Sequence, residues 1–362
     1  MSPSVPIVGA VRGRGAKSNQ TGRFESASRQ DFDDGWTDDD AAPAQVDTTL
    51  TAEKARVILT RNDSPDIGFD RSINPYRGCE HGCIYCYARP SHAYMGLSPG
   101  LDFETRLFFK PEAAQLLERE LSKPGYRPAR VQLGANTDPY QPVERRLRIT
   151  RGVLEVLSRF NHPLGITTKS VLVTRDIDIL APMAAANLVV VAVSVTTLDR
   201  RLARAMEPRA STPERRIEAI RQLSAAGVPV IVGASPMIPG LNDHEMEAIL
   251  ERAAEAGAAN AYYTALRLPL EIKDLFREWL AAEQPDRAAR VMSLVRQMRG
   301  GKDYDPQWGK RMRGEGPIAE LMSRRFRLAR RRFGLEREIG PLNLEAFRPP
   351  PRPGDQLELF GS

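Results

Sequence analysis

The stretch Ser72–Pro90, SINPYRGCEHGCIYCYARP, carries every cysteine of the chain and constrains the rest of it. Cys79, Cys83 and Cys86 are separated by three residues and then two, so one tight loop can aim three sulfurs at one point. Thiolates so placed bind metal. A structural zinc site takes four protein ligands and a 4Fe-4S cluster has four irons, so three cysteines leave one coordination position open for chemistry. A zinc site completed by His81 or His92 is the alternative, although no second knuckle of ligands follows in the sequence. An odd number of closely spaced cysteines argues against disulfides and for a reducing compartment.

A chain of 362 residues with 41% hydrophobic content is long enough to bury one large core or two modest ones. Its net charge of +6 points to an anionic partner, most simply nucleic acid. The longest apolar run, Leu188–Val193 extended by Ser194 and Val195, is too short to span a bilayer. Near the start, VPIVGAV precedes Arg12 and Arg14 instead of following charge, the wrong order for a secretory signal. The expected location is cytoplasmic.

Residues 1–55 lack periodicity and include the acidic run from Asp31 to Asp40, so they are expected to form a disordered tail. Within it, VRGRGA (residues 11–16) reads as solvated chain or as a phosphate contact. Residues 56–272 alternate short apolar runs with amphipathic stretches of helical length, which predicts about six parallel strands joined by helices. Polar residues fall where those strands should end: Asn136, Thr137 and Asp138; Thr168, Lys169 and Ser170; Ser194, Thr196 and Thr197; and Ser235. An open doubly wound sheet would place polar residues similarly. GASPMIPGLND (residues 233–243) is expected to be a shaped turn after a strand.

Residues 273–335 are predicted to be a basic helical extension, with Lys310, Arg311, Arg313, Arg324, Arg325, Arg327, Arg330, Arg331 and Arg332 set against Glu315 and Glu320. Interleaved Leu321, Met322, Phe326, Leu328 and Phe333 give that helix a buried side, leaving arginines for phosphate. Residues 336–362 form an expected extended tail ending in PPPRPGDQLELFGS.

The cysteine spacing, with Tyr85 before the third cysteine, resembles the radical S-adenosylmethionine (radical SAM) enzymes, and GLND resembles a turn many of them carry. NPYRGCEHGCIYCYAR, LGANTDPYQPVE and TTKSVLVTRDIDIL are similar to the group related to spore photoproduct lyase, over about residues 60–270. The resemblance implies an α/β fold, a partial (β/α)6 barrel, to which the chain adds a basic helical extension and disordered tails. It implies a 4Fe-4S cluster on Cys79, Cys83 and Cys86, and S-adenosylmethionine that yields a 5'-deoxyadenosyl radical on reduction. It assigns Thr137 and Lys169 to the methionine end of that cofactor, Ser194 to its ribose or carboxylate, and Tyr85 to its adenine, with Asn136, Asp138 and Thr196 as further contacts. Lys169 and Tyr140 are the expected catalytic residues.

In spore photoproduct lyase a further cysteine returns a hydrogen atom to the product. Gly134, Ala135 and Asn136 stand in that neighbourhood here, so a tyrosine (Tyr87, Tyr140, Tyr262 or Tyr263) or 5'-deoxyadenosine is the expected donor. The implied reaction is lyase-like, on a nucleic-acid base or DNA lesion, with a flavodoxin or ferredoxin as reductant. Gln356, Leu357, Glu358, Leu359 and Phe360 resemble the pentapeptide by which bacterial repair proteins dock on the sliding clamp. Two alternatives stand beside this: a radical SAM enzyme acting on a peptide, protein or metabolite, and a metal-stabilised module without enzymatic activity.

Overall fold

The computed structural model describes residues 11, 13–28 and 46–350. The expected clamp-like pentapeptide and the acidic run lie outside the described residues. The described residues form ten strands, the first four in succession and the rest separated by helices: β1 Thr49–Ala52, β2 Leu59–Arg61, β3 Arg71–Ile73, β4 Tyr76–Arg77, β5 Arg106–Phe109, β6 Val131–Leu133, β7 Leu164–Thr168, β8 Val189–Ser194, β9 Val230–Met237 and β10 Asn260–Ala265. The α-helices are α1 Leu101–Thr105, α2 Ala113–Leu121, α3 Glu144–Leu147, α4 Ile149–Arg159, α5 Ile177–Ala185, α6 Arg200–Met206, α7 Pro213–Ala225, α8 Met246–Glu255, α9 Ile272–Glu283, α10 Pro285–Gln297 and α11 Gly316–Arg332.

Six parallel strands stand in the order β10-β9-β8-β7-β6-β3, with β2 antiparallel on the far edge. This is the expected partial barrel. Alternation along each strand sorts its side chains between two faces. Val131, Leu133, Leu164, Ile166, Val189, Val191, Val193, Val230 and Val232 share the main core with the helices. The opposite, inner face carries Gln132, Thr167, Ser194, Ser235, Tyr262 and Thr264. There Gln132 Nε2 donates to Thr167 Oγ1 at 3.1 Å, and the Ser235 and Thr264 hydroxyls pair. Gly233 lies between Val193–Ser194 of β8 and Tyr262 of β10. A Cβ at Gly233 would meet the Tyr262 ring at 2.6 Å, so the missing side chain is what lets that ring lie across the strand.

Several expectations are corrected. Residues 14–22 are packed, not disordered. Their own apolar content is slight, but a buried carboxylate holds them: Glu104 accepts from the Gly15 and Ala16 N–H groups at 2.9 and 2.8 Å and from Arg89. Arg14 is buried, donating to the Glu104 and Val46 carbonyls and to Thr48, so it is not a phosphate contact. β1 pairs with β5, which forms a small sheet with β4 rather than joining the barrel. β9 runs to Met237, which confines the glycine- and proline-rich turn to the residues after it.

Residue 272 is no packing boundary. Ile272, Phe276 and Trp279 of α9 share a core with Cys83, Ile84 and Tyr85, because the cysteine loop is too short to cover its own apolar side chains. The tail as far as residue 350 is also held. Arg337, Asn343 and Arg348 N–H groups bond to the carbonyls of Ala259, Asn187 and Phe160, and Phe347 packs on Tyr126 and His162, tying the tail across the strand N-terminal ends.

Candidate radical-generating site

The cysteine loop follows β4 and closes on itself through Gly82 N–H to the Cys79 carbonyl and Cys86 N–H to the Cys83 carbonyl, both at 3.2 Å. Cys79 and Cys83 are buried and Cys86 is partly so; none forms a disulfide. Burial pushes all three thiols up, and Asp138 near Cys79 and Glu207 near Cys83 add to it. Such thiols become ligands only when a strongly positive centre displaces their protons. Among the described residues no three His, Cys, Asp or Glu groups are placed to hold a single metal ion. The zinc alternative loses its fourth ligand as well. His81 Nδ1 lies 3.3 Å from Asp138 Oδ2, and His92 Nε2 donates to the Arg106 carbonyl at 2.9 Å. Three unpaired thiols on one loop, two buried and one partly so, fit a polynuclear cluster.

The loop is braced from several elements. Gln141 takes the Glu80 N–H at 2.9 Å and gives its amide to the Gly78 carbonyl at 3.2 Å. Arg89, fully buried, donates to the carbonyls of Cys83, Pro99, Gly100 and Gly82. Glu207, after α6, accepts from the Tyr85 and Thr196 hydroxyls and pairs with buried Arg216, whose Nη1 also donates to the Ser194 carbonyl at 3.2 Å. One hydrogen-bonded knot thus locks the aromatic of the cysteine motif to the end of β8. Sequence reading did not single out Gln141, Glu207 or Arg216. Their signal is the EPRASTPERR stretch after β8 and the glutamine of LGANTDPYQPVE.

The expected site residues divide into those facing the loop and those holding the scaffold. Lys169 Nζ lies 5.8 Å from the centre of the Tyr85 ring and has no carboxylate partner among the described residues. Tyr262 and Ser194 both lie on the inner face, on either side of Gly233. Asn136, partly exposed, is anchored by its N–H to Asn74 Oδ1 at 3.1 Å. Thr137 is buried and donates to the Tyr76 carbonyl at 3.0 Å, and Thr196 is taken by Glu207. Asp138 accepts from Tyr140 N–H, Thr168 Oγ1 and Lys169 N–H at 2.7–2.8 Å. Burial opposes its charge, but His81 and those N–H groups outweigh it and hold the carboxyl at about 2. Asp138 therefore couples the cysteine loop to the end of β7.

The four candidate tyrosines also separate. Tyr140 is fully buried in the main core under Arg175, facing Asp176. Tyr263 points outward, its hydroxyl 2.6 Å from Ser323 of α11. Tyr87 is 46% exposed, follows Cys86, and donates to the Ala135 carbonyl. Arg267, at the end of β10, stacks 5.2 Å from the Tyr87 ring. Of the four, Tyr87 lies on the cysteine loop and Tyr262 on the inner face of β10; strand parity, which the sequence alone leaves open, turns Tyr263 to the opposite face.

This barrel with its cysteine loop defines a radical-generating enzyme class, and comparison with known proteins agrees: the radical SAM superfamily profile matches residues 73–253. The chain belongs to that superfamily, whose members use a 4Fe-4S cluster and S-adenosylmethionine and need a reductant. An uncharacterized protein of Mycobacterium tuberculosis strain H37Rv is 36% identical over 263 residues, 72% of this chain and 76% of its own length. An uncharacterized protein of Methanocaldococcus jannaschii is 28% identical over 48% of this chain and 62% of its own. Among solved structures, spore photoproduct lyase complexed with dinucleoside spore photoproduct has a TM-score of 0.55 at 13% identity, covering 78% of this chain and 79% of that one. A variant of that lyase with bound AdoMet and the same dinucleoside also has a TM-score of 0.55, at 14% identity over the same shares of the two chains. Among the described residues no helix is long and apolar enough to cross a membrane.

Proposed function

We propose that this chain is a radical SAM enzyme that acts on a nucleic-acid base or DNA lesion by lyase-like chemistry. The carrying observation is the composition of the barrel interior and its mouth. The inner face offers amide and hydroxyl groups (Gln132, Thr167, Ser194, Ser235, Tyr262, Thr264) and no carboxylate, which suits a neutral ligand rich in donors and acceptors. At the mouth, Tyr87 with Arg267 pairs an aromatic ring with a cation, the group types that stack on bases and meet phosphates. The likeness in fold to spore photoproduct lyase supports the same reading.

Cys79, Cys83 and Cys86 would hold the cluster, which with S-adenosylmethionine supplies a 5'-deoxyadenosyl radical. Lys169 and Asn136 would meet the charged methionine end and Ser194 the ribose, while Tyr85, whose hydroxyl Glu207 holds, would pack on the adenine. Thr137, Asp138 and Thr196 act by positioning, since their side chains are already bonded within the protein. With Ala135 where the related lyase has a cysteine nearby, Tyr87 is the proposed hydrogen-atom donor. Tyr140 leaves the catalytic set. The terminal pentapeptide Gln356–Phe360 would tether the enzyme to a sliding clamp.

The test is release of 5'-deoxyadenosine by anaerobically reconstituted protein with and without ultraviolet-irradiated DNA. Irradiated DNA is expected to raise release several-fold over intact DNA. Equal release in both, with stimulation by peptide or metabolite mixtures instead, would overturn the nucleic-acid reading while leaving the radical chemistry intact.

A further inference from the structure

α6 lies directly on the cysteine loop. Its inner side chains Leu202 and Met206 share a core with Cys83, Ile84 and Tyr85, and the Met206 carbonyl accepts the Ile84 N–H at 3.0 Å. Just beyond it, Arg209 N–H reaches the His81 carbonyl at 3.3 Å. The outer side presents Arg200, Arg201 and Arg204 to solvent, with Arg209 and Arg215 beside them. Three nearby acids offset part of this charge and leave a surplus of two positive charges. Asp199 accepts from the Arg201 and Leu202 N–H groups at 2.7 and 3.2 Å, Glu214 stands 3.9 Å from Arg200, and buried Glu80 pairs with Arg209. Arg201, Arg204 and Arg215 have no carboxylate partner among the described residues.

Radical SAM chemistry begins when one electron arrives from outside, and electron transfer falls steeply with distance. A helix is about 10 Å across, so a carrier resting on the outer face of α6 has a single helix between itself and the cysteines. A hydrogen bond, Ile84 N–H to Met206, continues the path inward. Another exposed basic face, Arg324, Arg327 and Arg331 of α11, lies outside the barrel against α8 and β10. We propose that the outer face of α6 is the docking surface for an acidic one-electron carrier protein, of flavin or iron–sulfur type, that reduces the cluster. In the transfer the carrier loses one electron and the cluster gains it; no bond breaks and no proton moves. The opposite charges steer the encounter and set its orientation.

The inference goes beyond the substrate assignment and rests on the cysteine triplet holding the cluster. The test therefore starts with iron content and visible chromophore in the Arg200→Glu, Arg201→Glu, Arg204→Glu triple variant. All three side chains are exposed, so both are expected at wild-type levels, and loss of both would point to the cluster site instead. At low salt, the bimolecular rate of cluster reduction by a reduced flavodoxin-type carrier is expected to fall at least about tenfold and to lose its salt dependence. Reduction by photoreduced deazaflavin, a small reductant needing no docking surface, stays unchanged. A wild-type carrier rate and salt slope overturns the proposal, as does equal loss with both reductants. Weakened DNA binding with an unchanged carrier rate would give this face to nucleic acid.

Discussion

Glu207 is a buried carboxylate three residues beyond Arg204, and its partners come from three places: the cysteine loop, the end of β8 and α7. Removing one member of a buried ion pair costs more than the pair contributes, because the survivor is left charged and dry. Glu207→Ala should therefore lower stability by about 3–5 kcal/mol and free Tyr85, whereas Glu207→Gln keeps the shape and loses less. Urea midpoints read the first effect, and the near-ultraviolet circular dichroism of the tyrosines reads the second. Equal midpoints for wild type and Glu207→Ala would show that the knot carries no strength.

Two histidines set the acid limit. Burial lowers His92 and His162 to about 4 from an ordinary 6.5, and both are held neutral: His162 donates through Nδ1 to the Pro163 carbonyl and receives the Tyr126 hydroxyl at Nε2. Between pH 6.5 and 4 the unfolded chain binds protons that the folded chain refuses, so stability falls as pH falls through that window, by at most about 3 kcal/mol per histidine. Below it, Asp138, held at about 2 against an ordinary 3.8, extends the loss in the same direction. Urea midpoints should hold nearly level from pH 7.5 to 6.5 and drop from there to 4.5; a profile flat throughout would mean the imidazoles protonate in place.

At the level of elements, the N-terminal strap is the unexpected part. A Cβ on Gly15 would come within 1.9 Å of the Gly82 carbonyl, so backbone lies on backbone directly over the cysteine loop. The strap continues to α9 through Lys17–Glu283 and Ser18–Glu278. Gly15→Val should lift it away, making residues 14–22 open to limited proteolysis and the reconstituted chromophore faster to bleach in air. Unchanged cleavage and bleaching would show that the loop needs no cover. α11 shows the converse. Its apolar stripe was legible, but four of the nine basic groups counted around it are engaged: Lys310 with Glu315, Arg311 with Asp66, Arg325 with Glu247, and Arg330 with the Leu335 carbonyl. Two of those partners, Asp66 and Glu247, lie far off in the chain, so a charge run read from sequence overstates the free charge.

For the whole molecule, the order of six parallel strands and the place of the cysteines after the first of them were readable from local pattern. Apolar runs that alternate with helical stretches leave few architectures. The ends of the molecule were misread for one physical reason. Residues 14–22 and 336–350 carry little apolar periodicity and are held by backbone hydrogen bonds and a few buried polar groups supplied by distant segments.

The sequence by itself determined the kind of centre to expect, since three thiols at that spacing form an incomplete ligand set and the motifs around them resemble the radical SAM signature. Only the tertiary structure decided which polar residues face the centre. Lys169 lies over Tyr85, Tyr87 is on the cysteine loop and Tyr262 is on the inner strand face, whereas the side chains of Tyr140, Asp138 and Thr137 are bound into the scaffold. Which face of a strand a residue takes, and which distant carboxylate claims its hydrogen bonds, depend on neighbours that only folding brings together.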